Sequence, residues 1–445
     1  MNQDRRAFLR RSVAASAGIG IFPAIIKASS LGLDNHIAPS DKINAILIGC
    51  GSQGSYDLES FLRMNDVQVI AVCDVDDSHA AAAKKLVDDR YKNNDCRVYK
   101  DFREILENEN ADIAAVVLPD HWKALVSCAV ASKKIDIYGE KPLARTIADG
   151  RAIVNAVHRN GIVWQTGSQQ RSWDHFRKGA ELVRNGRIGK VEYVEVGLPD
   201  GWHYMGNPPV QPVPEELDWD MWLGPAQKVP FRGVVHWDWR WIMDYSGGQL
   251  TDWVGHHFDI AHWGLGLDRT GPVSVEGKGR ANFDGIFDVP AEYDVTCIYG
   301  NGIKIRIANQ AQLKFGMGAV WFGSSGWIHV SRAGIRASDP DILDGKPGMI
   351  EGPMAPIDRK VSLDHIRNFL DCVRSREETV APVDAGHRSI SAGLLGEIAI
   401  ITGQKLEWDP DRELFPGNDM ANRLLKRPYR APWKCPAEEP GRMET

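Results

Sequence analysis

The sequence predicts two folded parts: an N-terminal α/β domain built on a doubly wound parallel sheet, then an α+β C-terminal domain with a large open antiparallel sheet. Three observations carry this. Strand and helix signals alternate from Asp41 to Thr166, the pattern of βαβ units. A glycine-rich turn, Gly49-Cys50-Gly51-Ser52-Gln53-Gly54, joins the first strand to the first helix. After Gly167 the pattern turns to successive strands, closed by two helices between His365 and Thr402.

The totals fit such a protein. The chain has 445 residues, 43% hydrophobic and 25% charged, ordinary values for a globular chain long enough for two cores. A net charge of −6 gives no electrostatic reason to expect nucleic acid or an anionic membrane surface as partner. The seven cysteines are scattered and odd in number, neither a disulfide framework nor a zinc ribbon. The oddity is 15 tryptophans. Many fall between Trp202 and Trp263.

Residues 1–40 read as a leader. Asp4-Arg5-Arg6-Ala7-Phe8-Leu9-Arg10-Arg11 precedes a mild apolar run, Val13 to Ile26. A paired arginine before a weakly hydrophobic stretch resembles a twin-arginine export signal. Asp4 stands where such signals usually have Ser or Thr. The expectation is export to the periplasm in the folded state, which suits a protein that takes up a cofactor before leaving.

Residues 41–168 form the first domain. Ile43–Ile48 is a strand running into the glycine turn and a helix ending near Met64. A second strand, Val67–Val72, ends at Asp74, 23 positions after Gly51. Strand, G-x-G-x-x-G, helix and an acidic residue on the next strand tip are the dinucleotide-binding context of a Rossmann domain. Gly49 permits the tight turn, Gly51 lets the backbone approach a pyrophosphate, and Gly54 lets helix and strand pack closely. The helix N-terminus at Ser52 and Gln53 offers NH groups and partial positive charge. Asp74 would accept from ribose hydroxyls and repel a 2′-phosphate, which favours NAD. Helices over Ser78–Asp89, Phe102–Asn108, Trp122–Ser132 and Thr146–Asn160 alternate with strands Ile113–Leu118, Ile135–Tyr138 and Ile162–Thr166. Ligands in such sheets sit beyond the strands' carboxyl ends. Pro119, His121, Glu140, Lys141 and Gln169 fall there and are expected beside the cofactor.

Gly49-x-Gly51-x-x-Gly54, Pro119-Asp120-His121, Glu140-Lys141-Pro142 and Asp252-x-x-x-His256-x-x-Asp259 occur in that order. Together they resemble the glucose–fructose oxidoreductase, inositol dehydrogenase and MocA (Gfo/Idh/MocA) family, from about Asn44 onward. The ending, Asn422-Arg423-Leu424-Leu425 to Trp433, resembles its exported members. Lys123 departs from the pattern, since many relatives carry a second histidine there. The resemblance implies helices on one face of the C-terminal sheet and a homo-oligomer formed through the other.

Residues 169–414 form the second domain, and 415–445 a tail. Strands are expected at Val191–Leu198, Val273–Lys278, Tyr293–Tyr299, Ile303–Asn309 and Trp327–Ser331, with Gly300-Asn301-Gly302 as a hairpin turn. Residues 200–245 are a Pro- and Trp-rich insertion. Aromatic faces beside Asp, His and Arg suit a sugar or polyol. Tyr204, Arg240, Trp241 and His257 are the expected substrate contacts.

In the segment Gly247 to Trp263 the glycine pair breaks what precedes it, and Thr251 or Asp252 can cap a helix running to Trp263. At about 100° per residue Asp252, His256 and Asp259 would share a face. Such a cluster suits proton transfer, a metal or a structural network. Oxidising a hydroxyl with NAD needs a base and a cation near the developing oxyanion. His256 can be the base, oriented by Asp252, and Lys141 the cation. The resemblance implies the same three catalytic residues. No metal is assigned; a divalent ion on Asp252, His256 and an insertion histidine is the alternative. The functional expectation is an NAD-dependent oxidoreductase acting on a sugar, glycoside or cyclic polyol with tightly retained NAD. The alternatives are an NAD-dependent glycosidase working by oxidation, elimination and reduction, and a non-catalytic sugar sensor.

Overall fold

The structure, a computed structural model, describes residues 37–201, 206–234, 237–281, 284–344 and 361–436. The leader expectation, but for its last few residues, and the expected contact Tyr204 lie outside the described residues.

Strands β1 (Ile43–Ile48), β2 (Val67–Cys73), β3 (Arg97–Tyr99), β4 (Ile113–Val116), β5 (Asp136–Gly139) and β6 (Trp164–Thr166) form one sheet in the order β3-β2-β1-β4-β5-β6. The pairs are parallel, with Ile46 beside Ala114 and Ile48 beside Val116. Continuous apolar runs such as Ala45 to Ile48 and Ile113 to Val116 are buried on both faces, as a sheet covered by helices on each side requires. The strand order reverses between β1 and β4, where such sheets open a crevice. Strand β3 carries no apolar run and is largely exposed, so its residues have no strand pattern to read.

The second sheet has eight strands: β7 (Val191–Leu198), β8 (Ser274–Ala281), β9 (Pro290–Ile298), β10 (Lys304–Asn309), β11 (Gly318–Gly323), β12 (Gly326–Ser331), β13 (Gly334–Ala337) and β14 (Leu406–Glu407). Their order is β13-β12-β11-β7-β10-β9-β8-β14. The sheet is mostly antiparallel, but β7 and β10 are parallel neighbours, with Val194 beside Ile305. The long crossover through the Trp-rich insertion and the helical segment 248–265 makes that pairing possible. Strand β11 is absent from the expected strands because its apolar run, Ala319 to Phe322, is only a few residues long between glycines. It is nonetheless central: Trp321 is fully buried and its Nε1 donates to the Ala261 carbonyl at 3.2 Å. The helices Val361–Ser375 and Val383–Thr402 occur in the expected place.

The two sheets are tied by buried charge. Arg145 donates to both carboxylate oxygens of Glu397 at 2.8 and 3.0 Å, a bidentate pair that fixes orientation as well as position. The tail returns to the first domain. Tyr429 Oη donates to Asp149 at 2.9 Å, and Trp433 packs edge-on against Trp122 with centroids 4.9 Å apart. All seven cysteines are free thiols.

Candidate active site

An open cleft runs along the carboxyl ends of the first sheet, where ligands of such sheets bind. Gly49, with φ of +97°, makes the turn out of β1; a Cβ there would lie 2.0 Å from the Val117 carbonyl oxygen. Gly51 shows the opposite: a Cβ there would meet nothing within 4 Å. Its open side faces the cleft as the N-cap of the helix Ser52–Leu62, and no side chain caps that helix. Uncapped NH groups beside open space fit an anionic pyrophosphate. Asp74 closes this end. Its Oδ2 accepts from Cys50 N at 2.6 Å and its Oδ1 from Asp76 N at 2.9 Å. Burial lifts its carboxyl above the ordinary range despite those donors. Gly49, Gly51, Ser52, Gln53, Gly54, Asp74, Pro119, Glu140 and Lys141 all line this cleft, and the set fits NAD.

At the far end stands Lys141, carried by the chain leaving β5. Its Nζ donates to Asp252 Oδ1 at 3.0 Å. Burial pushes the Asp252 carboxyl up, but Lys141 and Arg240 outweigh it and hold the group below the usual range. Beneath lies Lys123, a residue the sequence marked only as a departure. It donates to Asp120 Oδ1 at 3.1 Å and to the Pro142 carbonyl at 2.7 Å. Asp120 Oδ2 accepts in turn from Ser246 Oγ at 2.6 Å. Burial lowers the Lys123 ammonium despite Asp120.

The segment behind Lys141 is not the single regular helix expected. An α-helical stretch, Gly248–Trp253, passes through a π turn, Val254–Phe258, before α geometry resumes over Asp259–Leu265. Thr251 and Asp252 lie inside the first stretch and do not cap it. Thr251 Oγ1 instead accepts from Gly247 N at 3.1 Å. The wider turn breaks the 100° rule, and the three residues part company. Asp259 faces away and accepts from Arg171 at 2.6 and 2.8 Å, and from Ser389 at 2.8 Å. It braces the fold and takes no part in the cleft. The π turn has visible supports: a Cβ at Gly255 would lie 3.1 Å from that of Lys141, and the Gly255 carbonyl accepts from Ser168 Oγ at 2.9 Å. The turn therefore packs directly on the lysine stem. Ser168 carries no local signal in the sequence, since its partner is 87 residues away.

His256 is buried, and no described residue bonds its Nδ1. Burial first, then the positive charges of Lys141 and Arg332, keep its imidazole well below the usual value. The expectation that Asp252 orients His256 is corrected: the carboxylate bonds Lys141.

Other expected contacts fall elsewhere. His257 is fully buried; its Nδ1 lies 3.2 Å from Gln170 Nε2, and burial takes it down to about 3. It is a packing residue and does not line the cleft. His121 points behind the cleft, packed between Trp222 and Tyr245 with Nε2 3.1 Å from the Trp222 carbonyl. Trp122 and Lys123, on the same helix, take the cleft side, because Trp222 and Tyr245 enclose its first turn. Trp241 packs with Val234, Phe287 and Val289 in a satellite core and does not line the cleft. Gln169 also lies outside the cleft wall, its buried Oε1 without a described partner. Arg240 does line the cleft, its guanidinium 4.2 Å from the Trp237 ring centroid and 4.4 Å from that of Trp239. Among the described residues no three His, Cys, Asp or Glu side chains converge as a metal site.

A parallel sheet in Rossmann order with a glycine cradle, a ribose-end aspartate and a lysine–aspartate pair at the other end defines a nucleotide-dependent oxidoreductase. Residues 43–168 match the family model described as oxidoreductase family, NAD-binding Rossmann fold, and residues 197–435 its C-terminal α/β domain. The chain belongs to the Gfo/Idh/MocA oxidoreductase family, and its cofactor is NAD. It is 25% identical over 222 residues to a myo-inositol 2-dehydrogenase of Thermotoga maritima, covering 49% of this chain and 54% of that protein. It is 27% identical over 178 residues to a glycosyl hydrolase family 109 protein of Shewanella baltica, covering 36% and 38%. The chain thus spans about half or less of the length of these two relatives. Among solved structures, the aldose-aldose oxidoreductase of Caulobacter crescentus shares the fold, with a TM-score of 0.59 at 18% identity over 82% of this chain and 99% of that one.

Proposed function

We propose that the protein oxidises a secondary hydroxyl of a sugar, glycoside or cyclic polyol, with NAD as acceptor. The observation that carries this reading is the Lys141–Asp252 pair, 3.0 Å apart, at one end of the cleft that holds the dinucleotide cradle. NAD, when bound, supplies a two-electron hydride acceptor. The protein's residues handle the proton. Lys141 donates a hydrogen bond to the substrate oxygen and stabilises its developing negative charge. Asp252 holds the lysine in place and balances its charge. His256, kept neutral by burial and neighbouring cations, is available to take the hydroxyl proton. Trp239 and Arg240 narrow the cleft beside them and exclude water.

The twin-arginine resemblance at Arg5-Arg6 supports a periplasmic protein, where no free NAD pool exists. NAD then stays bound and is regenerated within the cycle. The aromatic stack of Tyr193 on Phe322, 4.3 Å apart on the second sheet, supports a homo-oligomeric contact through that face. The likeness to a family 109 glycosyl hydrolase favours a second reading: oxidation acidifies the neighbouring carbon, a glycosidic oxygen leaves by elimination, and water addition and reduction complete a redox-neutral cleavage.

Three measurements decide. Denatured purified protein is expected to release NAD(H) in about one-to-one ratio; its absence ends the retained-cofactor reading. A panel of glycosides and polyols, followed by absorbance of enzyme-bound reduced nicotinamide, identifies the substrate; no response to any of them contradicts hydride transfer. In D₂O, elimination leaves deuterium on the carbon beside the oxidised one, and simple oxidation does not.

A further inference from the structure

The Pro- and Trp-rich insertion comes back to the NAD cleft at its adenosine end. Pro214 to Leu217 make a tight turn, closed by Leu217 N on the Pro214 carbonyl at 3.2 Å. Asp218 then caps a single helical turn, Trp219–Leu223, by accepting from Met221 N at 2.9 Å. Gly224, with φ of +48°, ends it. This stretch is pinned to the tip of β2, beside Asp74. Leu217 and Asp76 form an antiparallel bridge, Asp77 N donates to the Glu216 carbonyl at 2.9 Å, and Asp218 N donates to the Val75 carbonyl at 3.0 Å. Further along, it is held against the helix Asp120–Ser132. Trp122 Nε1 donates to the Trp222 carbonyl at 2.9 Å, and a Cβ on Gly224 would lie 2.1 Å from the Trp122 ring.

The C-terminal tail secures the same stretch from outside. Arg430 Nε donates to the Gly224 carbonyl at 2.9 Å, Nη2 to the Asp220 carbonyl at 2.9 Å and Nη1 to the Asp220 carboxylate at 2.8 Å. Its main-chain N donates to the Pro225 carbonyl at 2.8 Å. A planar guanidinium fork matched to fixed acceptors holds both ends of the helical turn at once.

Leu217, Met221 and Trp222 of this stretch line the cleft together with Val75, Asp76 and His79 of the first domain. Asp74 marks the adenosine ribose, so the adenine belongs beyond it, on this side. A purine presents flat, polarizable faces, and leucine and the methionine thioether suit them. We infer that residues 214–224 build the outer wall of the adenosine pocket, with Leu217 and Met221 as its apolar contacts, and that Arg430 latches this wall so that NAD leaves only when it lifts. The inference deepens the retained-cofactor reading and rests on it, naming the residues that slow release.

The test follows exchange of bound NAD. NAD-loaded protein is mixed with excess isotopically labelled NAD, and uptake of label is read by rapid filtration in wild type, Arg430→Gln and Met221→Ala. Both variants are expected to exchange about tenfold or more faster, the range for losing charged hydrogen bonds or a buried apolar contact, with the change in the release rate. Melting curves at saturating NAD separate a lost latch from a damaged fold. If Arg430→Gln melts low, Met221→Ala, which leaves the latch in place, decides. AMP and nicotinamide mononucleotide locate the effect: Met221→Ala is expected to weaken AMP by about fivefold or more and to leave the mononucleotide unchanged. Exchange at the wild-type rate in a folded Arg430→Gln or in Met221→Ala, or equal weakening of the two fragments, overturns the inference. The two readings fail differently. Wild type that exchanges within seconds counts against retained NAD. A variant-to-wild-type ratio near one counts against the insertion and its latch.

Discussion

The two ends of the cleft are built on different principles. The dinucleotide end is made of backbone: a glycine at φ of +97°, an uncapped helix start and an aspartate held by two main-chain NH groups. The reacting end is made of side chains from distant parts of the sequence. Lys141 meets Asp252 across 111 residues, and Ser168 reaches Gly255 across 87. A backbone site follows from local sequence, because the glycines and the strand–helix context are contiguous. A side-chain site of this kind depends on how two domains meet.

This contrast can be tested by substitution. The largest expected effect is at the reacting end. His256→Asn removes the proposed base and is expected to lower kcat/KM by about 10²–10⁴ with NAD content unchanged. An undiminished rate assigns the base elsewhere. The backing of the same helical segment comes next. Asp259→Asn leaves the buried Arg171 guanidinium short of a partner and is expected to destabilise the fold by about 3–5 kcal/mol in denaturant titration. An effect on rate without loss of stability would return Asp259 to the site. At the dinucleotide end, two glycines should separate. Gly49→Ala forces a side chain into left-handed backbone against Val117 and is expected to cost roughly 1–3 kcal/mol along with NAD. Gly51→Val, with open space at its Cβ, is expected to keep the melting temperature and lose bound NAD. Equal behaviour of the two would remove the distinction between fold and cradle.

The smallest effect is on pH dependence. Burial takes His121, His262 and His365 down to about 4 and His257 to about 3, from an ordinary 6.5. Unfolded, these imidazoles take up protons near pH 6.5; folded, they resist until well below it. Their contribution to stability is whole above pH 6.5 and drains away as pH falls toward 4. Melting temperature is expected to decline across that window. The depressed His256 likewise places the acid limb of kcat/KM below pH 6.5. A limb at or above 6.5 contradicts the buried, neutral histidine.

Legibility followed the same division. The Rossmann order, the glycine turn, Asp74 and Lys141 were readable because strand, turn and helix are adjacent in sequence. Asp252 and His256 were readable as residues, but their geometry was not. A regular helical wheel put Asp259 on their face, and a π turn, fixed by packing on Lys141 and by Ser168, moved it to Arg171. His121 and Trp241 drew attention by type and motif, yet aromatic packing from the insertion turned them into core.

The central claim is that the hydroxyl reacts at Lys141, at the far end of the NAD cleft. The most direct measurement is single-turnover reduction of bound NAD in Lys141→Ala, with NAD occupancy checked against the wild type after denaturation. The expected result is full occupancy with reduction slowed by about 10³-fold or more. Reduction at the wild-type rate in a fully occupied variant would contradict the claim.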